Sequence, residues 1–327
     1  MQSSNAVQQN AFAAEVLRGF SSMPKFLSSK YFYDDEGSRL FRQIMDLPEY
    51  YLTRSEFEIF SMRTREIYES FAAGFSGFDL IELGAGDGTK TAVLIDYFLR
   101  QKADFTYTPI DISQEAVDSL TENFRKKFPD LNINAKTGDY FRILESLKSE
   151  AARPKIILFL GSNIGNFSRA RSIEFFKSLR AVMNKNDALF VGFDLQKDPR
   201  VILAAYDDAR GVTAKFNLNL LNRINRELGA NFDTEKFSHY AIYRPTECAA
   251  RSFLISRASQ KVFIGALNQT FDFKQGEPVF MEISQKYSLE MIEDLALTSG
   301  FRVAENFFDG KKYFADSLWK TSQNHMR

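Results

Sequence analysis

Phe78-Asp79-Leu80-Ile81-Glu82-Leu83-Gly84-Ala85-Gly86-Asp87-Gly88 runs from an apolar strand pattern into alternating glycines, and residues 90–100 behind it carry helical spacing. A strand that ends in glycines and turns into a helix offers backbone N–H groups and a helix start to a single ligand. The third glycine comes one residue early for a dinucleotide fingerprint, and Thr89 stands where a P-loop needs a glycine before its lysine. A nucleoside without a pyrophosphate fits better. Asp111 ends the next apolar run, where a carboxylate can accept both hydroxyls of a ribose.

Outward from this loop, strands and helices alternate. Apolar runs at 105–112, 132–136, 155–160 and 188–194 are separated by helical patterns at 114–128 and 168–183. Such spacing specifies right-handed crossovers and a parallel sheet covered on both faces. The first 75 residues read instead as helix and loop, with a polar 2–9 stretch expected to fray and helical spacing at 12–20 and 56–71. They are expected to form a cap with no strand of its own, and Tyr31, Tyr33, Tyr50, Tyr51 and Tyr68 gather near its turns. After Asp194 the alternation stops: 199–227 reads as one or two helices and 240–283 as antiparallel strands. A helix at 288–299 and a hairpin from 301–307 and 312–319 then resume the sheet. The expected division is a cap at 1–60 that forms part of the substrate domain, sheet at 61–195, an inserted α+β substrate domain at 196–286, and sheet again at 287–327.

Composition narrows the function. The 327 residues carry 42 Lys plus Arg against 42 Asp plus Glu, so no basic excess draws in nucleic acid or an anionic membrane. A single cysteine, Cys248, excludes an internal disulfide, and His239 and His325 are far apart, so no metal site is expected. The apolar runs are strand-sized and the first ten residues are polar, so a cytoplasmic protein with neither spanning helix nor signal is expected, acting as a monomer on a small molecule.

Glycines after one strand, an acid at the end of the next, and Gly138-Asp139-Tyr140 after the third together resemble the S-adenosylmethionine-dependent methyltransferases, with a terminal hairpin in keeping. The resemblance implies a Rossmann-like class I sheet and S-adenosylmethionine as cofactor, held by Glu82, Gly84, Gly86, Lys90, Asp111, Asp139 and Tyr140. Longer stretches narrow it: Tyr31-Phe32-Tyr33-Asp34, Leu47-Pro48-Glu49-Tyr50-Tyr51, Phe159-Leu160-Gly161-Ser162 with Ile164-Gly165-Asn166, and Ala205-Tyr206-Asp207-Asp208 with Gly211-Val212-Thr213-Ala214. In that order they are similar to the L-histidine Nα-methyltransferases of ergothioneine biosynthesis. That family implies stepwise conversion of histidine to its Nα-trimethyl form, hercynine. The α-amino and carboxylate groups fall to Tyr33, Asn166 and Tyr206, with Gly161 beside them, and the imidazole to Tyr50, Glu282 and Ser284. Glu282 and Ser284 lie two apart on one strand, so both point to one face, and a carboxylate with a hydroxyl can grip the two imidazole nitrogens.

Three positions depart from the family pattern. Ser252 stands at a methionine position beside the imidazole, Asn163 at a threonine and Leu52 at a proline. Ser252 enlarges or polarises the side-chain pocket, which keeps open the Nα-methylation of another aromatic amino acid or a histidine-derived metabolite. A non-catalytic binding module is the reading from another class. Asn166 can alternatively cap the helix that follows it, and His239 reads as structural.

Overall fold

The computed structural model describes residues 2–150 and 153–322, with the side chains of all except 2–10 and 147–150; His325 lies outside the described residues. The chain divides into two compact units, one made of 1–51 with 197–284 and the other of 52–196 with 285–327.

The second unit is built on a seven-stranded sheet in the order Phe301–Phe308, Phe314–Thr321, Ala188–Asp194, Lys155–Phe159, Phe78–Leu83, Phe105–Asp111, Lys136–Thr137. The strands from Ala188–Asp194 to Lys136–Thr137 pair in parallel, and the terminal hairpin joins antiparallel, Asp316 lying opposite Gly192. Lys155–Phe159 and Ala188–Asp194 are buried along their whole length, as continuous apolar strands between two helical layers must be. Phe176, Phe193 and Trp319, all fully buried, lie at the centre of one layer. The strand expected at 132–136 is shorter: Ile133 makes a lone bridge to Tyr107, and regular pairing covers only Lys136–Thr137. The asparagines on either side of Ile133 are poor strand formers at a sheet edge.

In the first unit, helices Asp35–Met45 and Val212–Leu228 share an apolar core with a four-stranded sheet, ordered Lys25–Phe26, Pro278–Gln285, Ala249–Ser256, Phe237–Arg244. The expectation of a strand-free cap is corrected here. Lys25 and Phe26 pair in parallel with Val279 and Phe280, and the Lys25 ammonium meets the Glu277 carboxylate at 2.5 Å. A two-residue strand has no period to betray it, and its ion pair is non-local. The helix that opens the chain runs Gln2–Ser21, taking in the stretch expected to fray. The first boundary falls at 51/52, because Tyr51–Ala72 is one continuous helix. Among the described residues, no helix is long and apolar enough to cross a membrane.

Candidate active site

The residues expected on the cofactor side all lie in the sheet unit. Gly84, Gly86 and Gly88 have φ of +71°, +57° and +67°, values that favour glycine. A Cβ at Gly84 or Gly86 would meet nothing within 4 Å, whereas one at Gly88 would sit 2.7 Å from the Phe124 ring. The loop therefore packs on one side and is open on the other. The Gly84 N–H donates to the Ile110 carbonyl at 2.8 Å, which ties the loop to the strand that ends in Asp111. One Asp111 oxygen accepts the Ser113 N–H at 3.0 Å, and the other lies 3.5 Å from the Gly86 nitrogen, so the carboxylate stands directly beside the glycine loop. The Gly138 N–H donates to the Asp111 carbonyl at 2.9 Å and brings Asp139 and Tyr140 to the same strand ends. Asp139 accepts the N–H groups of Phe141 and Arg142, both at 3.1 Å, and the Tyr140 ring meets Phe175 edge-on.

Glu82 is placed differently from its neighbours. It is buried, one carboxyl oxygen accepting the Thr91 hydroxyl at 2.8 Å and the other the Tyr107 phenol at 2.6 Å. Burial pushes its carboxyl up to about 7 against the pull of those two hydroxyls. Glu82 thus braces the strand-to-helix turn from within. Lys90 pairs with the fully buried Glu56, whose other oxygen accepts the Gly161 N–H at 2.7 Å. Gly161 (φ +73°) and Ser162 (φ +57°) turn the chain into a short helix, Asn163–Asn166. Asn166 is not the cap of the next helix; Ser168 takes that place, its hydroxyl accepting the Arg171 N–H at 3.3 Å.

The remaining candidates lie in the other unit. Asp34 caps the Asp35–Met45 helix by accepting the Gly37 N–H, and it also holds Asn219 and Arg226 of the Val212–Leu228 helix at 2.7 and 2.5 Å. This fixes Tyr33, next in the chain, whose ring meets Phe41 and Phe216 edge-on at 5.4 and 5.7 Å. Tyr33 is 47% exposed as a residue, yet its phenol oxygen is crowded by protein and feels Glu282, Tyr50 and Tyr206. Burial first, then the Glu282 carboxylate and the two phenols, push it well above its ordinary range, so Tyr33 is a neutral hydroxyl at physiological pH. The Tyr206 and Ser284 hydroxyls share a hydrogen bond of 2.7 Å. The His239 Nε2 lies 2.9 Å from the Tyr206 carbonyl oxygen, so that nitrogen carries the proton and donates. Ser252 is buried and pairs with Ala241; by strand alternation it shares a face with Leu254 of the apolar core, while neighbouring Phe253 meets Phe280 at 5.7 Å.

Tyr33, Tyr50, Tyr206, Glu282 and Ser284 thus come together in one unit from stretches far apart in sequence, while Gly161 and Asn166 belong to the sheet unit with the glycine loop. The sequence did not point to Glu56 or Phe216, nor to the contact of His239 with the Tyr206 carbonyl. Only the helical period that buries Phe216 was available to point to it.

Residues 12–321 match the family described as histidine-specific methyltransferases, SAM-dependent. The chain belongs to that family. Among its relatives is the histidine N-alpha-methyltransferase of Mycobacterium tuberculosis, 37% identical over 85% of this chain and 84% of the relative. The enzyme of the same name from Mycolicibacterium smegmatis is 36% identical over 94% and 95%. Ergothioneine biosynthesis protein 1 of Schizosaccharomyces pombe is 27% identical over 91% of this chain and 40% of that longer protein. The class I methyltransferase sheet, the enzyme class and S-adenosylmethionine as cofactor, all expected from the sequence, hold. The residues present fit that cofactor: a glycine loop with one open face, and a carboxylate beside it able to take ribose hydroxyls.

Proposed function

We propose that this enzyme transfers methyl groups stepwise to the α-amino nitrogen of L-histidine, giving hercynine as the first product on the way to ergothioneine. The observation that carries this reading is the grouping of the Glu282 carboxylate and the Tyr50 and Tyr206 phenols around the Tyr33 phenol, with Ser284 tied to Tyr206. A carboxylate among phenols accepts an imidazole N–H by a charge-assisted bond, and a hydroxyl serves the second ring nitrogen in either role. An indole or phenyl group cannot use both.

S-adenosylmethionine, when bound, supplies a methyl group already activated by a sulfonium charge. The protein's share of the chemistry is then mainly positioning. Glu82, Gly84, Gly86, Lys90, Asp111, Asp139 and Tyr140 are assigned to the cofactor, with Glu82 supporting the loop from beneath. Tyr33 stays a neutral hydroxyl and is not the base; it orients the α-amino group by donating to, or accepting from, it. The resemblance adds Tyr206, Asn166 and Gly161 for the amino and carboxylate groups. An ammonium has no lone pair, so each round begins with loss of a proton, which water can carry away.

Mass spectrometry of products formed from each of the twenty amino acids with S-adenosylmethionine tests this reading. Mono-, di- and trimethylated histidine are expected, above any other product. Preferred turnover of tryptophan or another aromatic amino acid would overturn the histidine assignment and leave the methyltransferase class intact.

A further inference from the structure

Beneath the cofactor loop, Glu56 reaches from the Tyr51–Ala72 helix into the sheet with no exposed surface. Its entry depends on Gly192: a Cβ there would lie 2.5 Å from one Glu56 oxygen. Gly192 sits directly across from Asp316 in the antiparallel pair, so the gap it leaves opens beside that carboxyl. Asp316 is also fully buried, and neither of its oxygens has a hydrogen-bond donor within reach among the described residues. Two buried acids therefore share a space with one part-buried ammonium, Lys90, and Asp309 and Glu82 are the next charges felt there.

Two ionised carboxylates in that space would repel, and Asp316 would lack any donor. One proton removes both faults: it neutralises Asp316 and supplies an O–H that Glu56 accepts. Burial, then Glu56, hold the Asp316 carboxyl far above its ordinary range. Burial works against the Lys90 ammonium, but Glu56 outweighs it and holds Lys90 above its ordinary value. The same Glu56 carboxylate accepts the N–H of Gly161, which opens the turn leading to Asn166.

We propose that Glu56, admitted beside Asp316 by the gap at Gly192, is a positioning residue that sets the Lys90 ammonium and the Gly161 turn for methyl transfer. The proposal rests on the assignment of Lys90 to the cofactor. It makes two chain segments, one at the glycine loop and one ahead of Asn166, depend on a single carboxylate.

Glu56→Gln puts an amide N–H against either Lys90 or the Gly161 N–H, so one donor faces another. Calorimetry with S-adenosylhomocysteine should show a dissociation constant raised at least about fivefold, and kcat/KM for S-adenosylmethionine should fall at least about tenfold. In a Lys90→Met background the added Glu56→Gln should cost cofactor binding less than twofold, since it acts through Lys90. Asp316→Asn replaces a protonated acid by an isosteric donor and should bind cofactor within about threefold of wild type. Glu56→Gln with wild-type binding and turnover would overturn the proposal. So would an Asp316→Asn loss above tenfold, which decides the matter even if Glu56→Gln does not fold. Wild-type failure on histidine would instead count against the substrate reading, since cofactor binding is measured without substrate.

Discussion

The two units solve the problem of holding polar groups in different ways. In the sheet unit, the groups assigned to the cofactor stand on and beside a glycine loop at strand ends, and buried charges of the same unit are paired: Lys286 with Asp194 at 2.7 Å, Lys155 with Asp187 at 3.0 Å, Lys90 with Glu56. In the other unit the candidate groups are side chains, mostly phenols, spaced by aromatic edges, with Glu282 the carboxylate among them. The contrast suits the ligands assigned to each. A cofactor shared by many enzymes can be held by a glycine loop and an acid at consecutive strand ends, whereas an amino-acid side chain must be told from others by hydrogen-bonding pattern.

The largest way to break this comparison is at the paired charges. Lys286→Met removes the ammonium from beside the fully buried Asp194 and should cost about 3–5 kcal/mol in urea unfolding. A cost under about 1 kcal/mol would show the pair to be dispensable. Next is Glu82, raised by burial from 4.5 to about 7. The folded state binds this proton more tightly than the unfolded chain, so its stabilising contribution is complete below pH 4.5 and is lost as pH rises through about 7. Across that window the loss is roughly 3 kcal/mol, and Glu82→Gln should flatten the pH dependence of unfolding by that much.

Two smaller effects sharpen the comparison between cofactor and amino-acid recognition. Asp111→Ala removes a charged acceptor and should weaken S-adenosylhomocysteine binding by roughly 1.5–3 kcal/mol, about tenfold to 150-fold, by calorimetry. An unchanged constant would take Asp111 out of the cofactor site. Glu282→Ala should lower kcat/KM for histidine at least about tenfold while leaving apolar amino acids little affected. Equal losses for histidine and phenylalanine would make Glu282 a structural carboxylate rather than a reader of the imidazole.

The cofactor loop could be read from sequence because its parts are consecutive: a strand, three glycines, a helix, then an acid closing the next strand. The grouping of Tyr33 and Tyr50 with Tyr206, Glu282 and Ser284 has no such continuity, and only long family motifs brought these residues forward. Glu56 was invisible for another reason. Ser55-Glu56 and Glu58 look like the solvated side of a helix, and nothing in their spacing tells a buried carboxylate from an exposed one; the space that admits it is made by Gly192 on a distant strand. Lys25–Phe26 escaped because two residues are too few for alternation to show.

The pairing of Lys25–Phe26 with Val279–Phe280 bears on how such an enzyme could be recombined with a relative. The 197–284 segment leaves the sheet unit where Leu195 bridges Tyr287 and the Gln196 N–H donates to the Tyr287 carbonyl at 2.9 Å, so its two crossover points are already clamped together. A foreign insertion could be grafted there without lengthening any linker. Its outer strand would, however, meet a resident Lys25–Phe26 edge and a resident Lys25 seeking Glu277. Chimeras that exchange 1–51 together with 197–284 keep that edge matched, so the heritable module here is two pieces of chain rather than one.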